Sequence, residues 1–221
     1  MKRILALVLT VTLLFGFSAC GKKESKKGTD KSANTSAQID LTKTFMSDRT
    51  FTDAKGVEKL DDLANTYYNL TVNKKLNVAY IGGSVTNGTG GTDGYCWRSD
   101  VTDWFKAKFP SAIITDTNAG IGSSSSYYGY YRLDEYVLAQ NPDLVFVEFA
   151  INDTYNSMTE TESATYMEGI IRKIRSANAN TDIIIVLTGD KRYLISDFSL
   201  AKVHAKLANF YGIISINVLN H

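Results

Sequence analysis

A serine follows two glycines at the end of an apolar segment in this chain. The segment LNVAYI is followed by GGSVT (82–86), in which Ser84 is the third residue. Glycines let the backbone turn sharply and approach a ligand closely, so the serine can present both its hydroxyl and its amide. The stretch differs from the nucleophile-elbow pattern G-x-S-x-G because Thr86 replaces the second glycine. It differs from a P-loop because no lysine follows Gly88. Ser84 is therefore a candidate nucleophile outside both patterns.

Two more groups with hydrogen-bonding potential follow later apolar segments. NAGIGSSSS (118–126) begins like a dinucleotide-binding fingerprint, but Ser125 takes the place of its last glycine, and we read it as a loop with exposed amides. In FAINDT (149–154), Asn152 follows apolar residues and its amide would point into a cleft, although an Asn-Asp pair can also simply cap a turn. Several fixed N–H donors near a serine suit acyl transfer, which passes through an oxyanion.

The elements that carry these groups are predicted to be parallel strands. Five short β-branched segments are almost continuously apolar, as in a parallel sheet covered on both faces. They are LNVAYIGG (76–83), AIITDTNAG (112–120), DLVFVEFAIND (143–153), DIIIVLTG (182–189) and GIISINV (212–218). Helical patterns alternate with them at 95–109, 132–140, 159–177 and 199–212. This order predicts a doubly wound α/β sandwich, in which ligands bind beyond the carboxyl ends of the strands.

The three groups, in this order and at these spacings, resemble the first three sequence blocks of the SGNH (GDSL-like) hydrolases. Ser84 in GGSVT, NAGIGSSS and Asn152 in PDLVFVEFAIND carry the resemblance, which extends over about residues 75–218. It is similar to the esterase-like branch in which Gly-Gly-Ser replaces Gly-Asp-Ser. The resemblance implies a flavodoxin-like three-layer α/β/α sandwich with a five-stranded parallel sheet. It also implies a serine ester hydrolase.

The resemblance further implies roles for individual residues. Ser84 would be the nucleophile, and its own amide, the amide of Ser123 and the Asn152 side chain would form the oxyanion hole. The family has a glycine where this chain has Ser123, which matters little because the donor is a backbone N–H. If Ser123 cannot adopt the required dihedral angles, Gly122 would donate instead. Each donor is worth about 3 kcal/mol in the transition state.

A serine nucleophile needs a general base, normally a histidine oriented by a carboxylate. The family supplies both from an Asp-x-x-His block after the last strand, and this sequence contains no such block. Its two histidines are His204, on an apolar helical stripe that predicts a packing role, and His221, three residues after Val218. One hypothesis is that the sequence breaks off before the dyad. The other is a pseudoenzyme that binds without turnover.

The nature of the substrate is suggested by aromatic residues. Four tyrosines, Tyr127, Tyr128, Tyr130 and Tyr131, follow the second block and could stack on sugar rings or pack a helix. We therefore expect removal of acetyl or other small acyl groups from saccharides or other acylated small molecules. The alternative is a non-catalytic carbohydrate-binding protein.

Weaker expectations concern residues around the three blocks. Candidate substrate contacts are Gly83, Tyr127, Asp153 and Asp93. Glu148 interrupts a buried strand and must find a partner, for which Arg132 is the candidate.

Composition excludes several other classes. The net charge of +1 and pI near 7.7 give no basic field for nucleic acid. Without a His/Cys cluster of metal spacing, no metal or cofactor is expected.

The amino-terminal residues read as an export signal and a spacer. Residues 1–19 have the charge and apolar run of a signal peptide, and FSAC-G resembles a bacterial lipobox with Cys20 as the lipidated residue; an ordinary secretory signal is the alternative. Residues 20–40 are Lys-rich and predicted to be a flexible tether, and 41–221 to be the hydrolase-like domain, truncated before the dyad. This predicts a protein at the bacterial cell surface or elsewhere outside the cytoplasm, attached to the membrane by lipid on Cys20.

Overall fold

The computed structural model describes residues 63–91, 95–189 and 199–218. These residues contain five strands, each corresponding to one of the predicted apolar segments. The strands are β1 Lys75–Gly82, β2 Ile113–Gly120, β3 Leu144–Glu148, β4 Asp182–Leu187 and β5 Ile214–Asn217. The five-stranded parallel sheet predicted from the sequence is confirmed.

The strand order is β2-β1-β3-β4-β5, and every neighbouring pair is parallel. Chain connections run outward in opposite directions from β1, so the order reverses between β1 and β3. Such a switch point leaves a crevice at the carboxyl ends of the strands. At this edge Gly82 is level with Gly120 of β2 and with Glu148 of β3. The three sequence groups that follow these strands therefore begin at the same height.

Helices connect the strands. They are α1 Ala64–Tyr68, extended by a π-helical turn Asn69–Asn73, α2 Ser84–Asn87, α3 Trp97–Lys108, α4 Ser126–Tyr136, α5 Ala150–Tyr155, α6 Glu160–Ala177 and α7 Ser199–Phe210. A capping box begins α6, with Thr159 Oγ1 accepting from the Glu162 amide and Glu162 accepting from the Thr159 amide. None of the helices in the described ranges has the length and apolar character needed to cross a bilayer.

Alternate strand residues pack into two separate apolar layers. Ala79, Ile81, Val145 and Val147 face one layer, which is completed by buried residues of α4, α6 and α7. Their sequence neighbours on β1 and β3, among them Tyr80 and Phe146, face the other layer with Phe105 of α3. Covering on both faces buries nearly every position of the inner strands β3 and β4, which explains their continuous hydrophobicity, whereas β2 at the edge of the sheet is largely exposed. The three-layer α/β/α sandwich is thereby confirmed.

Two predicted boundaries were wrong. The segment 143–153 was expected to be one strand, but β3 ends at Glu148 and residues 150–155 form α5. A short buried apolar run does not distinguish a strand from a buried helix. The helix predicted at 132–140 is α4, which starts at Ser126 and ends at Tyr136, with a 3-10 turn at Leu138–Gln140. The four tyrosines that follow the second block all lie on α4.

Candidate active site

Ser84 is the first residue of α2 and lies directly beyond the carboxyl end of β1. It is half-buried, whereas Gly82 and Gly83 before it are buried. The close approach at Gly82 explains its residue type, because a Cβ there would be 2.2 Å from Thr86 Oγ1 and 2.6 Å from the Glu148 carbonyl oxygen. The two glycines thus let α2 begin immediately against β3 and leave the Ser84 side chain at the mouth of the crevice.

The loop after β2 lies beside Ser84. A Cβ built on Gly122 would be 4.0 Å from Ser84 Cβ, the nearest atom it would meet. Ser123 has φ of 62°, the left-handed conformation that a glycine adopts most easily. The serine at this position therefore takes a dihedral angle that suits the glycine of the family pattern. Whether Gly122 or Ser123 donates its amide stays a prediction.

Asn152, which follows the third strand, lies against Gly83, the residue before Ser84. It lies in α5, is only 6% exposed and packs against Gly83, where a Cβ would be 2.1 Å from Asn152 Oδ1 and 2.9 Å from Nδ2. Oδ1 is buried without a hydrogen-bond partner among the described residues. Asn156, on the next turn, donates from Nδ2 to the Ser123 carbonyl at 3.3 Å. That hydrogen bond fixes the loop after β2 relative to the helix that carries Asn152.

The structure therefore brings together the residues predicted for the oxyanion hole. Gly122 is next to Ser84, Asn152 is against Gly83, and Asn156 links Ser123 to α5. The loop after β2 and the Asn152 side chain thus both lie near Ser84 or the residue before it. The arrangement suits stabilisation of an oxyanion by fixed donors.

Glu148, at the end of β3, is hydrogen-bonded to residues on both sides of Ser84. It is fully buried and accepts hydrogen bonds from Thr86 Oγ1 at 2.9 Å and Thr188 Oγ1 at 2.5 Å, and from the Gly83 amide. Burial raises the pKa of the Glu148 carboxyl, and these hydrogen bonds oppose that effect. The prediction that Arg132 is the partner of Glu148 was wrong, because hydroxyl groups on α2 and after β4 donate to the carboxyl instead.

Arg132 instead donates to backbone carbonyl groups at the ends of two strands. Nη2 donates to the Gly82 carbonyl at 3.0 Å and to Ser124 Oγ at 3.2 Å, and Nη1 donates to the Ala119 carbonyl. Its guanidinium group therefore joins the end of β1 to the end of β2 and to the loop after β2. This is a positional role that hydropathy patterns alone do not reveal.

Asp153 was predicted as a substrate contact, and the structure contradicts this. Its carboxyl is fully buried and accepts from the amide and hydroxyl of Ser126, both at 2.7 Å, from Ser163 Oγ at 2.6 Å and from His204 Nε2 at 3.2 Å. Burial acts to raise the pKa of Asp153, but the hydrogen bonds from His204, Ser163 and Ser126 hold it below its usual value. Asp153 serves to join α4, α5, α6 and α7.

His204 belongs to this buried network. Its side chain has no exposed surface, and Nε2 lies 2.8 Å from Ser163 Oγ as well as 3.2 Å from Asp153. A Ser-His-Asp triad uses both ring nitrogens, whereas here Ser163 and Asp153 share one and Nδ1 has no partner in the described part of the chain. This agrees with the predicted packing role and excludes contact with a substrate in this conformation.

The remaining predicted residues have different outcomes. Gly83 was a weak candidate for substrate contact, but it is buried, is covered by Asn152 and donates its amide to Glu148, so its role is structural. Tyr127 is 40% exposed on α4, and its ring contacts Tyr128, Tyr131 and Tyr166. The predictions for Cys20, Asp93 and His221 fall outside the described residues.

The sequence agrees with a known family over most of its length. Residues 80–221 match the model of the GDSL-like lipase/acylhydrolase family. No curated protein matches the chain.

Among solved structures, a two-domain esterase active on acetylated mannans, co-crystallised with mannopentaose, is 28% identical. It matches with a TM-score of 0.65 over 72% of this chain and 42% of its own length. The chain thus spans less than half of that esterase.

Two further structures show a shared fold. An SGNH-hydrolase family esterase is 19% identical with a TM-score of 0.53, covering 66% of this chain and 76% of its own. An acetyl xylan esterase variant from Geobacillus stearothermophilus is 17% identical with a TM-score of 0.55, covering 63% and 75%.

Proposed function

The chain belongs to the GDSL-like lipase/acylhydrolase family, and on that premise we propose that it is a serine ester hydrolase that removes acetyl or other small acyl groups from carbohydrates. The observation that carries the proposal is the convergence of Ser84, the 121–124 loop and Asn152 at the carboxyl ends of β1, β2 and β3. One half-buried serine with amide donors around it is suited to acyl transfer.

In the proposed reaction, Ser84 Oγ attacks the ester carbonyl carbon while a general base takes the hydroxyl proton. The resulting oxyanion is held by the amide of Ser84, the amide of Gly122 or Ser123 and the side chain of Asn152. Collapse of the intermediate breaks the bond to the sugar oxygen, which leaves as an alcohol after receiving the proton. Water then hydrolyses the acyl-enzyme, releasing the carboxylic acid and restoring Ser84. In the family that this chain resembles, the base is the histidine of an Asp-x-x-His block; His204 does not take that role here, because it is committed to Ser163 and Asp153.

The saccharide part of the proposal is supported by the 28% identical esterase, which is active on acetylated mannans. Exposed tyrosines on α4 add a physical reason, because aromatic rings offer flat apolar faces with a polar edge. Acetylated manno-oligosaccharides are accordingly the first substrates to test.

The test uses the protein encoded by the complete reading frame. A fluorophosphonate should label it, and Ser84→Ala should remove the label. A matched control is Ser111→Ala, which changes an exposed serine before β2 and should leave labelling intact. Acetate release from acetylated manno-oligosaccharides should fall by three or more orders of magnitude in Ser84→Ala. Absence of both labelling and acetate release would refute the esterase.

A non-catalytic carbohydrate-binding protein is the alternative that uses the same crevice. It predicts saccharide binding without Ser84 labelling or acetate release. Family membership and the esterase neighbours favour hydrolysis over it.

We also propose that the protein is extracytoplasmic and attached to the membrane by lipid on Cys20. The lipobox-like sequence FSAC-G supports this. Metabolic labelling with an alkyne fatty acid in a bacterial host should mark the wild-type protein and not Cys20→Ala. Equal labelling of both, or none of either, would contradict the anchor without touching the esterase proposal.

A further inference from the structure

A groove of about 450 Å³ lies beside the loop that follows β2. It is lined by residues 121–124 and by Tyr128, Tyr131, Arg132 and Glu135. Sites for small molecules enclose about 300–1,000 Å³, so the groove is of suitable size. Because Gly122 also lies next to Ser84, the groove and the candidate active site share a wall.

The outer wall of the groove is one face of α4. The lining residues of α4 are Tyr128, the adjacent pair Tyr131 and Arg132, and Glu135. Each step from Tyr128 to the pair and from the pair to Glu135 is three or four residues, which places them on the same side of the helix. Tyr128 is 56% and Tyr131 63% exposed, so more than half of the surface of each residue is open to solvent. Two aromatic rings are thus available to a ligand in the groove.

The groove also carries charged groups. Arg132 forms part of the floor of the groove while donating hydrogen bonds to Gly82, Ala119 and Ser124. Glu135 is exposed on the wall, where its carboxylate can accept hydrogen bonds from hydroxyl groups. A long alkyl chain in this groove would desolvate both charges without replacing their hydrogen bonds. A sugar ring has apolar C–H faces for the tyrosines and hydroxyl groups for the carboxylate.

From this combination we propose that the groove binds sugar residues neighbouring the acylated one, with Tyr128 and Tyr131 as the contacts to the ring faces and Glu135 as an acceptor for hydroxyl groups. The inference rests on the proposed esterase, since it assigns the saccharide of that reaction to the α4 side of Ser84. It makes the length of the saccharide, and not only the ester, a determinant of the rate.

The binding test is independent of turnover. Isothermal titration of Ser84→Ala protein with unacetylated mannopentaose should show binding that Tyr131→Ala weakens about five- to tenfold, the loss expected for one aromatic contact. Tyr131→Phe keeps the ring and should bind within about twofold of the parent. Tyr68→Ala is the matched control, because Tyr68 is 55% exposed on α1, a helix fixed to Asp182 at the opposite end of β4.

A kinetic test follows the same contacts in the protein with Ser84 intact. In Tyr131→Ala the ratio of kcat/KM for acetylated manno-oligosaccharide to that for p-nitrophenyl acetate should fall about five- to tenfold. The ratio should be unchanged in Tyr68→Ala. A ratio unaffected by Tyr131→Ala, in an enzyme that hydrolyses both esters, would overturn the groove and leave the esterase standing.

Two other outcomes separate the proposals. If Tyr131→Ala reduces hydrolysis of p-nitrophenyl octanoate but not mannopentaose binding, the groove holds an acyl chain and the inference is wrong. If mannopentaose binds in a Tyr131-dependent manner and Ser84 is never labelled by fluorophosphonate, the groove is supported as a saccharide site while the esterase proposal fails.

Discussion

Thr86 Oγ1 donates a 2.9 Å hydrogen bond to Glu148 Oε2, and the same buried carboxyl accepts from the Gly83 amide. Thr86 and Gly83 lie on either side of Ser84 along the chain. Glu148 therefore fixes the backbone both before and after the candidate nucleophile. Its third donor, Thr188, comes from the end of β4 and does not flank Ser84.

This difference between the two threonines gives the first prediction. Thr86→Val and Thr188→Val each remove one hydroxyl donor from Glu148 and should each lower the free energy of unfolding by about 1–3 kcal/mol. Thr86→Val should also lower kcat for p-nitrophenyl acetate by roughly 10²-fold, because misplacing a nucleophile by about 1 Å has that effect. Urea denaturation and steady-state kinetics measure the two quantities.

Thr188→Val is the control for the loss of stability. Its kcat should fall by less than about fivefold when its unfolding free energy falls as much as that of Thr86→Val. Equal losses of kcat in both variants would show that Glu148 acts on the whole crevice and not on Ser84.

A second prediction concerns the contact between Gly83 and Asn152. A Cβ on Gly83 would stand 2.1 Å from Asn152 Oδ1, so Gly83→Ala must displace the amide. The loss of one oxyanion donor should reduce kcat by about 10²–10³-fold, as should Asn152→Ala.

The double variant tests whether both changes act through the same amide. Gly83→Ala with Asn152→Ala should be no slower than the slower single variant, whereas independent effects would multiply. Multiplicative losses would mean that the Cβ disturbs Ser84 or Glu148 directly. Circular dichroism of all three variants checks that they are folded.

The sheet was predictable because parallel strands buried on both faces leave a simple record in the sequence. Val145 and Val147 pack into one apolar layer, while Phe146 between them packs into the other, so no polar residue interrupts the run until Glu148. The same property misplaced the end of β3. Phe149, Ala150 and Ile151 are as buried as the strand, although the last two belong to α5.

The positions of Ser84 and Asn152 could be predicted because strand register brings the carboxyl ends of neighbouring strands to one height. The partners of the buried charged groups could not be predicted from the sequence. Glu148 and Arg132 are satisfied by hydroxyl and carbonyl groups distant in sequence, and such groups leave no pattern in composition or spacing. Asp153 was misjudged for a related reason, because its position in the chain next to Asn152 does not show that its side chain points to the opposite side.

A third prediction follows from the backbone of Ser123. A non-glycine residue in the left-handed region costs roughly 1–2 kcal/mol, partly offset by the greater freedom of glycine in the unfolded chain. Ser123→Gly should therefore leave the free energy of unfolding equal or raise it by up to about 1 kcal/mol, with kcat kept because the donor is a backbone amide. Ser123→Val, which is β-branched, should lose about 1–2 kcal/mol. A marked loss of kcat in Ser123→Gly would show that the serine side chain itself takes part.

The fourth prediction concerns pH and the Asp153 carboxyl. Its pKa in the folded protein lies below the usual value of about 3.8, because hydrogen bonds from His204, Ser163 and Ser126 favour the ionised form despite burial. The stabilisation is therefore present above pH 3.8 and is lost as the pH falls through the folded pKa. Asp153→Asn should lower the free energy of unfolding by about 3 kcal/mol at pH 7, since hydroxyl donors are left facing an amide.

Denaturation of Asp153→Asn and the wild type at several pH values between 3 and 7 tests Asp153 together with its partner His204, because Glu148 titrates in both proteins. The difference between their unfolding free energies should be largest at neutral pH and shrink below about pH 4. Glu148 acts in the opposite sense, because burial raises the pKa of its carboxyl in the folded protein. The contribution of Glu148 to stability therefore declines as the pH rises from the usual pKa of a glutamate towards the raised pKa. A difference between the proteins that stays constant down to pH 3 would mean that packing, and not the charge on Asp153, holds α4, α5, α6 and α7 together.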